Sequence, residues 1–341
     1  MSPETITQYG TYFDDALFLL GGSSLAIELL TGWCSGAMKG RALLDMVASA
    51  STQIPSLLVE IFLMSFLYIG MVIVSETFVT WQMPITLWTI ALALLACDFA
   101  YYWEHRIAHQ VRLLWTQHAV HHSSREMNIV VGIRFGPLEG YASALLHFPL
   151  VLMGFPPALI FFGIIVVLAY QTWIHTELIG KLGPLDAVLN TPANHRVHHG
   201  CDDKYIDKNY GGILIIWDRL FGTYQAEEET PTYGLKRDYN SVNPLSVWIS
   251  ELPGLFSDLK KSKSFGETWM YLFGRPGWQP KESHAKSQLT KEVETVLALR
   301  GTEMKEVPHA LSFRCRRPRS GRWMRDLRPG GDWLQRASTL C

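Results

Sequence analysis

Ten of the chain's twelve histidines fall between positions 105 and 199, and eight of them form three blocks. The blocks are His105-Arg-Ile-Ala-His109, His118-Ala-Val-His121-His122 and His195-Arg-Val-His198-His199, with His175 alone between the second and third. Side chains at i, i+3 and i+4 share one helical face, so HxxxH offers two imidazoles and HxxHH three toward one point. Eight nitrogen donors exceed the four that satisfy a tetrahedral zinc. They would furnish two neighbouring metal ions with several imidazoles each and leave positions open. Imidazole suits iron, zinc, copper and nickel alike, so the donors by themselves do not name the metal.

The elements that must position these blocks are apolar. Residues 54–78, IPSLLVEIFLMSFLYIGMVIVSETF, are long enough as a helix, at about 1.5 Å per residue, for a hydrocarbon layer of roughly 30 Å. Residues 85–103, ITLWTIALALLACDFAYYW, read as a second span, and residues 139–174 hold two apolar runs parted by Gly154-Phe155-Pro156-Pro157, a helical hairpin that crosses and returns. Residues 12–33 are apolar but carry Asp14, Asp15 and Glu28, which leaves spanning, dipping in and lying at the interface all open.

The loops around the uncharged Val79–Pro84 connection and the hairpin tip contrast with basic flanks. Lys39 and Arg41 precede the first span, and Arg106, Arg112, Arg125 and Arg134 follow the second. The excess of basic residues puts all histidine blocks on the cytoplasmic side, of a bacterial inner membrane or of the endoplasmic reticulum. The expected fold class is therefore an all-α, multi-pass integral membrane protein with about four transmembrane helices and a cytoplasmic helical cap carrying a histidine-rich di-metal site. Four regions are expected: 1–53, an N-terminal segment; 54–240, the membrane-embedded catalytic part; 241–310, a polar C-terminal region in which Lys281–Arg300 reads as a helix; and 311–341, an arginine-rich tail whose composition favours disorder.

The formal net charge of −1 gives no reason to expect a nucleic-acid partner. The first residues lack the basic and apolar regions of a cleavable signal peptide. The five cysteines form no CxxC pair, which implies a reducing compartment and no thiolate metal site. No GxGxxG marks a nicotinamide or flavin domain, so reducing equivalents must come from elsewhere. Imidazoles at a membrane surface suit a bilayer-soluble substrate. Hydrolysis needs one activated water, which three ligands on one zinc supply, whereas attack on a C–H bond with O₂ makes use of two redox-active ions, and this favours iron.

The blocks HRIAH, HAVHH and HRVHH, in this order and flanked by spans, resemble the eight-histidine signature of the fatty acid hydroxylase/sterol desaturase superfamily of membrane di-iron oxygenases. The stretches YQTWIHTELIGKLGPLDAVLNTP, NHRVHHGCDDKYIDKNYGG and IIWDRLFGTYQAE are most similar to its alkylglycerol monooxygenase branch. The resemblance covers roughly residues 50–230. It implies His105, His109, His118, His121, His122, His195, His198 and His199 as ligands of two iron ions, with His175, in the WIHTE match, as a ninth. It also implies a lipid substrate, O₂ and an external electron donor: tetrahydrobiopterin in the alkylglycerol monooxygenase branch, or a ferredoxin- or cytochrome-type reductase. Hydroxylation next to an ether oxygen, acyl or sterol oxidation and sterol desaturation are the outcomes found across the superfamily. Metal-bound imidazoles hand their second ring N–H to a carboxylate or carbonyl. Asp98, seven residues before His105, is one expected acceptor, and Glu177, Asp207 and Asp218 are others. Asn190 and Asn194 are candidates to orient or ligate. His147, within the hairpin, is expected outside the ligand set, and Trp103, Trp115, Trp173 and Trp217 flank the blocks. A rival from another class is a histidine-rich membrane zinc transporter or metal-binding protein, which would place ligands along a path inside the spans.

Overall fold

The computed structural model describes residues 3–36 and 40–280, which fall within one compact unit, Met1–Pro280. The expected helix over Lys281–Arg300, the arginine-rich tail, His284 and His309 lie outside the described residues. Among the described residues there is no strand; two isolated bridges pair Leu189 with Leu214 and Gly200 with Tyr233.

Helix α1 covers Pro3–Ser35 and α2 covers Arg41–Phe78, 38 residues that carry Pro55 inside and run through position 53, where hydropathy suggested a boundary. Three windows are long and apolar enough to cross a membrane: Phe18–Ser35 in α1, and Arg41–Val59 and Ile61–Phe78 in α2. The segment left open at residues 12–33 thus contains one such window, although its Glu28 is buried and accepts from the Ile129 backbone N–H at 2.6 Å and the Thr176 hydroxyl at 3.0 Å. The first half of α2 is two-sided. Asp45, Ser49, Thr52 and Ser56 recur every three to four residues and are buried against protein, while Leu43, Leu44, Leu57 and Leu58 on the other side are exposed.

The second expected span lies in α3 (Leu87–Gln110), which carries Asp98 and Glu104 turned inward and is not among the three windows. The expected hairpin is present as α5 (Gly140–Leu152) and α6 (Pro157–Thr172). Its arms of 13 and 16 residues reach roughly 20 and 24 Å at about 1.5 Å per residue, each short of a full hydrocarbon layer. Three windows rather than four spans are therefore marked by length and composition. Met71, Cys97, Val151, Phe155 and Ile160 form the centre of the core shared by α2, α3, α5 and α6. Gly163 permits the tightest part of that packing, since a Cβ there would stand 2.6 Å from the Cys97 sulfur.

The remaining helices build the cap. Val111 is extended, so α3 stops at Gln110 and α4 (Arg112–His122) leaves in a new direction. A 3-10 turn at Ile129–Ile133 leads to the hairpin; α7 (Pro192–His199), α8 (Ile216–Phe221), α9 (Pro244–Trp248), α10 (Leu252–Lys261) and α11 (Phe265–Phe273) follow. Arg134, wholly buried, ties the cap to α2. It donates to the Val120 carbonyl, the Ser123 hydroxyl, the Ser49 hydroxyl and the Asp45 carboxylate at 2.8–3.1 Å. A charge buried so deeply persists only when each donor finds an acceptor, and here the acceptors come from both elements that it joins.

Candidate metal centre

Nine imidazoles converge, each no more than 8% exposed. They fall into two groups whose candidate donor atoms lie within 4.8 Å of one another: His105, His109, His118, His122 and His198 in the first, and His121, His175, His195 and His199 in the second. Each HxxHH block was expected to aim its three rings at one point. Instead each divides its rings, because adjacent residues on a helix point about 100° apart. His118 and His122, four apart on α4, face the first group while His121 turns to the second; His195 and His199 on α7 face the second while His198 turns to the first. His105 and His109 come from the last turns of α3, and His175 from the loop after α6. His147 is buried in α5 and belongs to neither group.

The hydrogen bonds assign the tautomers. The Nδ1 atoms of His105, His175 and His198 donate to the carbonyls of Tyr210, Gln171 and Lys208 at 2.9, 2.7 and 3.0 Å, and His118 Nδ1 donates to Glu139 Oε1 at 2.5 Å. With the ring proton on Nδ1, Nε2 carries a bare lone pair. Yet Nε2 of His105 lies 3.0 Å from Nε2 of His118, and that of His118 lies 3.1 Å from Nε2 of His122. In the second group His195 Nε2 lies 2.8 Å from that of His175 and 3.1 Å from that of His199, and His175 Nε2 is 3.1 Å from that of His121. Two lone pairs facing at 3.0 Å repel unless a cation lies between them. Nitrogens bound at about 2.1 Å to one ion stand about 3 Å apart when their bonds are near right angles, so these spacings fit metal coordination. The buried Nε2 atoms of His109 and His198 have no hydrogen-bond partner, as expected of atoms reserved for a metal.

Electrostatics agree. Burial first, then the neighbouring imidazoles, push His109, His121, His122, His195 and His199 well below the ordinary histidine range. His105 is lowered in the same way, burial being the larger cause; His175 falls to about 4 and His198 to about 3, each mainly through burial. These eight rings are therefore neutral at physiological pH, the form in which imidazole ligates.

The four expected carboxylates stand at different removes. Asp98 accepts from the Ile213 and Leu214 backbone N–H groups and from Trp217 Nε1 at 2.6, 3.1 and 2.8 Å, so it clamps the loop after the third block rather than an imidazole. Gly212 makes room for that clamp, because a Cβ there would lie 2.8 Å from Asp98 Oδ1. Asp218 accepts from the N–H groups of Tyr210 and Gly211 and from the Thr223 hydroxyl, and the Tyr210 carbonyl in turn takes the His105 proton. Asp207, at φ +59°, lies 3.6 Å from His109 Nδ1. Glu177 is exposed and accepts from the Tyr233 hydroxyl, away from both groups. Asn190 Nδ2 lies 3.5 Å from His195 Nδ1, and Asn194 Nδ2 donates to the carbonyls of Asp186 and Leu189. Trp217 serves the Asp98 clamp, Trp103 packs edge-on against Phe221, and Trp173 against Tyr170.

Glu139, among the described residues the one carboxylate hydrogen-bonded directly to a ring, escaped sequence reasoning. It lies between an apolar run and no motif, and its only local signal is an acidic residue at the mouth of the hairpin. The same is true of the Tyr210 and Lys208 carbonyls, which backbone geometry alone supplies.

Two cavities reach the rings. An apolar slot of about 480 Å³, walled by Leu57, Ile61, Phe161, Ile164 and Leu168, ends on His105, His118 and Glu139. A second cavity, of about 510 Å³, reaches His109, His122, His198 and His199 and is edged by Trp115, Asp207, Lys236, Arg237 and Arg275.

Residues 90–223, the stretch that carries all nine rings, match the model of the fatty acid hydroxylase family. It is 37% identical over 295 residues to alkylglycerol monooxygenase from Homo sapiens, covering 85% of this chain and 63% of that protein. It is 42% identical over 200 residues to alkylglycerol monooxygenase from Xenopus tropicalis, covering 59% of this chain and 44% of that one. An ornithine lipid hydroxylase from Rhizobium tropici is 34% identical over 137 residues, 40% of this chain and 41% of the relative. The chain spans less than two thirds of the length of these curated relatives. No solved structure matches it.

Proposed function

We propose that this chain is a membrane-bound di-iron oxygenase that uses O₂ to hydroxylate a lipid C–H bond. The observation that carries this reading is the apolar slot ending on His105 and His118, because it brings an aliphatic chain directly to the five-imidazole group. His105, His109, His118, His122 and His198 hold one ion, and His121, His175, His195 and His199 the other. When bound, the irons supply the redox chemistry that activates O₂. The protein's own part is positional. The Tyr210, Gln171 and Lys208 carbonyls and Glu139 keep the ring protons on Nδ1, which leaves Nε2 free to ligate. The Leu57, Ile61 and Phe161 wall excludes water and aligns the chain against the rings.

The relatives named alkylglycerol monooxygenase support an ether lipid as substrate, with hydroxylation of the carbon next to the ether oxygen and release of an aldehyde; the ornithine lipid hydroxylase keeps other lipids in view. The reductant, a tetrahydropterin or a ferredoxin- or cytochrome-type protein, reaches the rings from the polar cavity, on the side that the slot does not use. The cap faces the cytoplasm, where such donors are found. Donors gathered in one buried cluster, rather than strung along a path, weigh against a zinc transporter.

The test is comparative lipidomics of cells with and without the chain, paired with O₂ uptake by the purified protein in lipid extract. One lipid class should accumulate in its absence, and its addition should drive O₂ consumption. Zinc as the only metal, with no oxygen uptake and no lipid change, would sink the oxygenase reading.

A further inference from the structure

Along α11, Phe265, Trp269 and Phe273 recur every four residues on one helical face and are 82%, 53% and 42% exposed. They form a continuous stripe, with ring centroids 6.4 Å and then 4.4 Å apart. The opposite face is anchored to protein: Tyr271 is buried, its ring beneath the Arg112 guanidinium and edge-on to Trp278. Helix α10 repeats the division, with Leu255 buried and Phe256 exposed, and it ends in Lys260 and Lys261; Lys263 follows in the turn. Three lysines stand here against two neighbouring carboxylates, Asp258 and Glu267. Asp258 turns inward to Arg112 at 2.7 Å and lies 3.5 Å from Lys261, and Glu267 accepts from the Lys263 backbone N–H at 2.7 Å.

An aromatic stripe of this kind beside clustered lysines is costly in water and matches a helix lying in the interface plane of a bilayer, aromatic side in the acyl boundary and cations among anionic headgroups. The compact unit that holds α10 and α11 also holds the windows long and apolar enough to cross a membrane. We infer that α10 and α11 form an interfacial anchor that docks on a lipid surface containing anionic headgroups. The anchor is coupled to the centre. The Gly274 carbonyl that closes α11 accepts from the Arg112 N–H at 3.0 Å, and Arg112 opens α4, the helix that carries His118, His121 and His122 and lends Leu114 and Gln117 to the slot. The docked stripe therefore sets the height of the slot relative to the lipid, whatever lipid is oxidised.

The test uses the full chain with Trp269→p-benzoylphenylalanine, reconstituted in phosphatidylcholine vesicles with and without phosphatidylglycerol, irradiated and read by mass spectrometry. The expected product is a phospholipid adduct whose yield rises with phosphatidylglycerol. Lys260→Glu, Lys261→Glu and Lys263→Glu together should remove that rise, at about five-fold per lysine, the equivalent of about 1 kcal/mol each. Lys→Gln changes at the same three positions give a milder variant whose retained metal content reports an intact fold. A cross-link within the chain or to a second copy, an unreacted probe, or a phosphatidylglycerol dependence that survives the charge changes would overturn the anchor.

Discussion

The two imidazole groups are built from near-identical sequence blocks, yet they face different surroundings. The five-membered group stands between the cavities, meeting the apolar slot through His105 and His118 and the polar cavity through His109, His122 and His198. The four-membered group meets the polar cavity through His199 alone and is otherwise enclosed, with His121 stacked on Phe135 and His175 held by the Gln171 carbonyl. The difference arises on α3, whose His105 and His109 pair has no helical counterpart on the other side, where the lone His175 stands in its place. Repetition in sequence thus yields one half open to the apolar slot and one that is largely enclosed.

The largest effect should come from breaking either half. His198→Ala and His121→Ala should each lower product formation by more than about 100-fold, since even the outer partners of metal ligands are worth 10–100-fold. Membrane insertion should be intact, because the apolar windows are untouched. Iron content sharpens the comparison: Mössbauer spectra of ⁵⁷Fe-loaded protein should lose signal from one half in each variant, and a different half in each. Identical spectra from both variants would erase the distinction.

How much of this was legible follows from what a spacing can encode. The three blocks and His175 were readable because i, i+3, i+4 periodicity and residue type together carry ligand chemistry, and the structure brings all nine rings together. Their division between two groups was readable too in principle, from the 100° turn between His121 and His122, but only once two centres rather than one are supposed. Asp98 was placed by its helical offset from His105; the offset is real, but the loop residues Ile213 and Leu214, with Trp217 at the start of α8, take both of its oxygens. Nothing local signals a loop 115 residues away. The apolar runs gave helices correctly, whereas the short arms of α5 and α6 show that hydropathy cannot tell a full crossing from a helix buried among its neighbours.

Next in size is the pair Glu139→Ala and Asn190→Ala, one for each half. Glu139 bonds His118 Nδ1 at 2.5 Å, and its removal leaves a buried ring N–H without an acceptor; activity and iron retention should fall by about 10–100-fold. Asn190 meets His195 Nδ1 at the long distance of 3.5 Å, so its loss should cost near the lower end of that range. Steady-state kcat with metal analysis separates them, and a larger loss at Asn190 would reverse the ranking of the halves.

Stability of the metal-free protein should fall with acidity. In the unfolded chain these histidines take protons near pH 6.5, whereas folded His175 waits until about 4 and His198 until about 3. Between those limits the unfolded state holds more protons, so each such ring removes up to about 1.4 kcal/mol of stability per pH unit on going down, and none above pH 7.5 or so. His198 continues to destabilise over the lower stretch, where His175 has already charged. Thermal melts of chelated protein in detergent between neutral and mildly acidic pH measure this slope. Bound metal should raise the melting temperature throughout and carry the slope to lower pH, because coordinated rings stay neutral where the free folded rings would charge while the unfolded chain still takes up protons; melts that metal does not raise would mean that the rings are not its ligands.

The smallest effects should separate the two cavities. Ala108 lines the slot beside His105, and Ala108→Leu fills part of it; overpacking costs about 1–3 kcal/mol, which for a lipid chain translates into roughly a ten-fold rise in KM with KM for the reductant unchanged. Arg275 edges the polar cavity, is exposed and has no ion-pair partner among the described residues, so Arg275→Ala should raise the reductant KM only a few-fold, in keeping with the modest worth of exposed charges, and leave the lipid KM alone. The crossed design matters more than either value. Two cavities serving two substrates require that each change move one KM and not the other, whereas both constants rising together in either variant would mean that lipid and reductant share one route to the five-imidazole group.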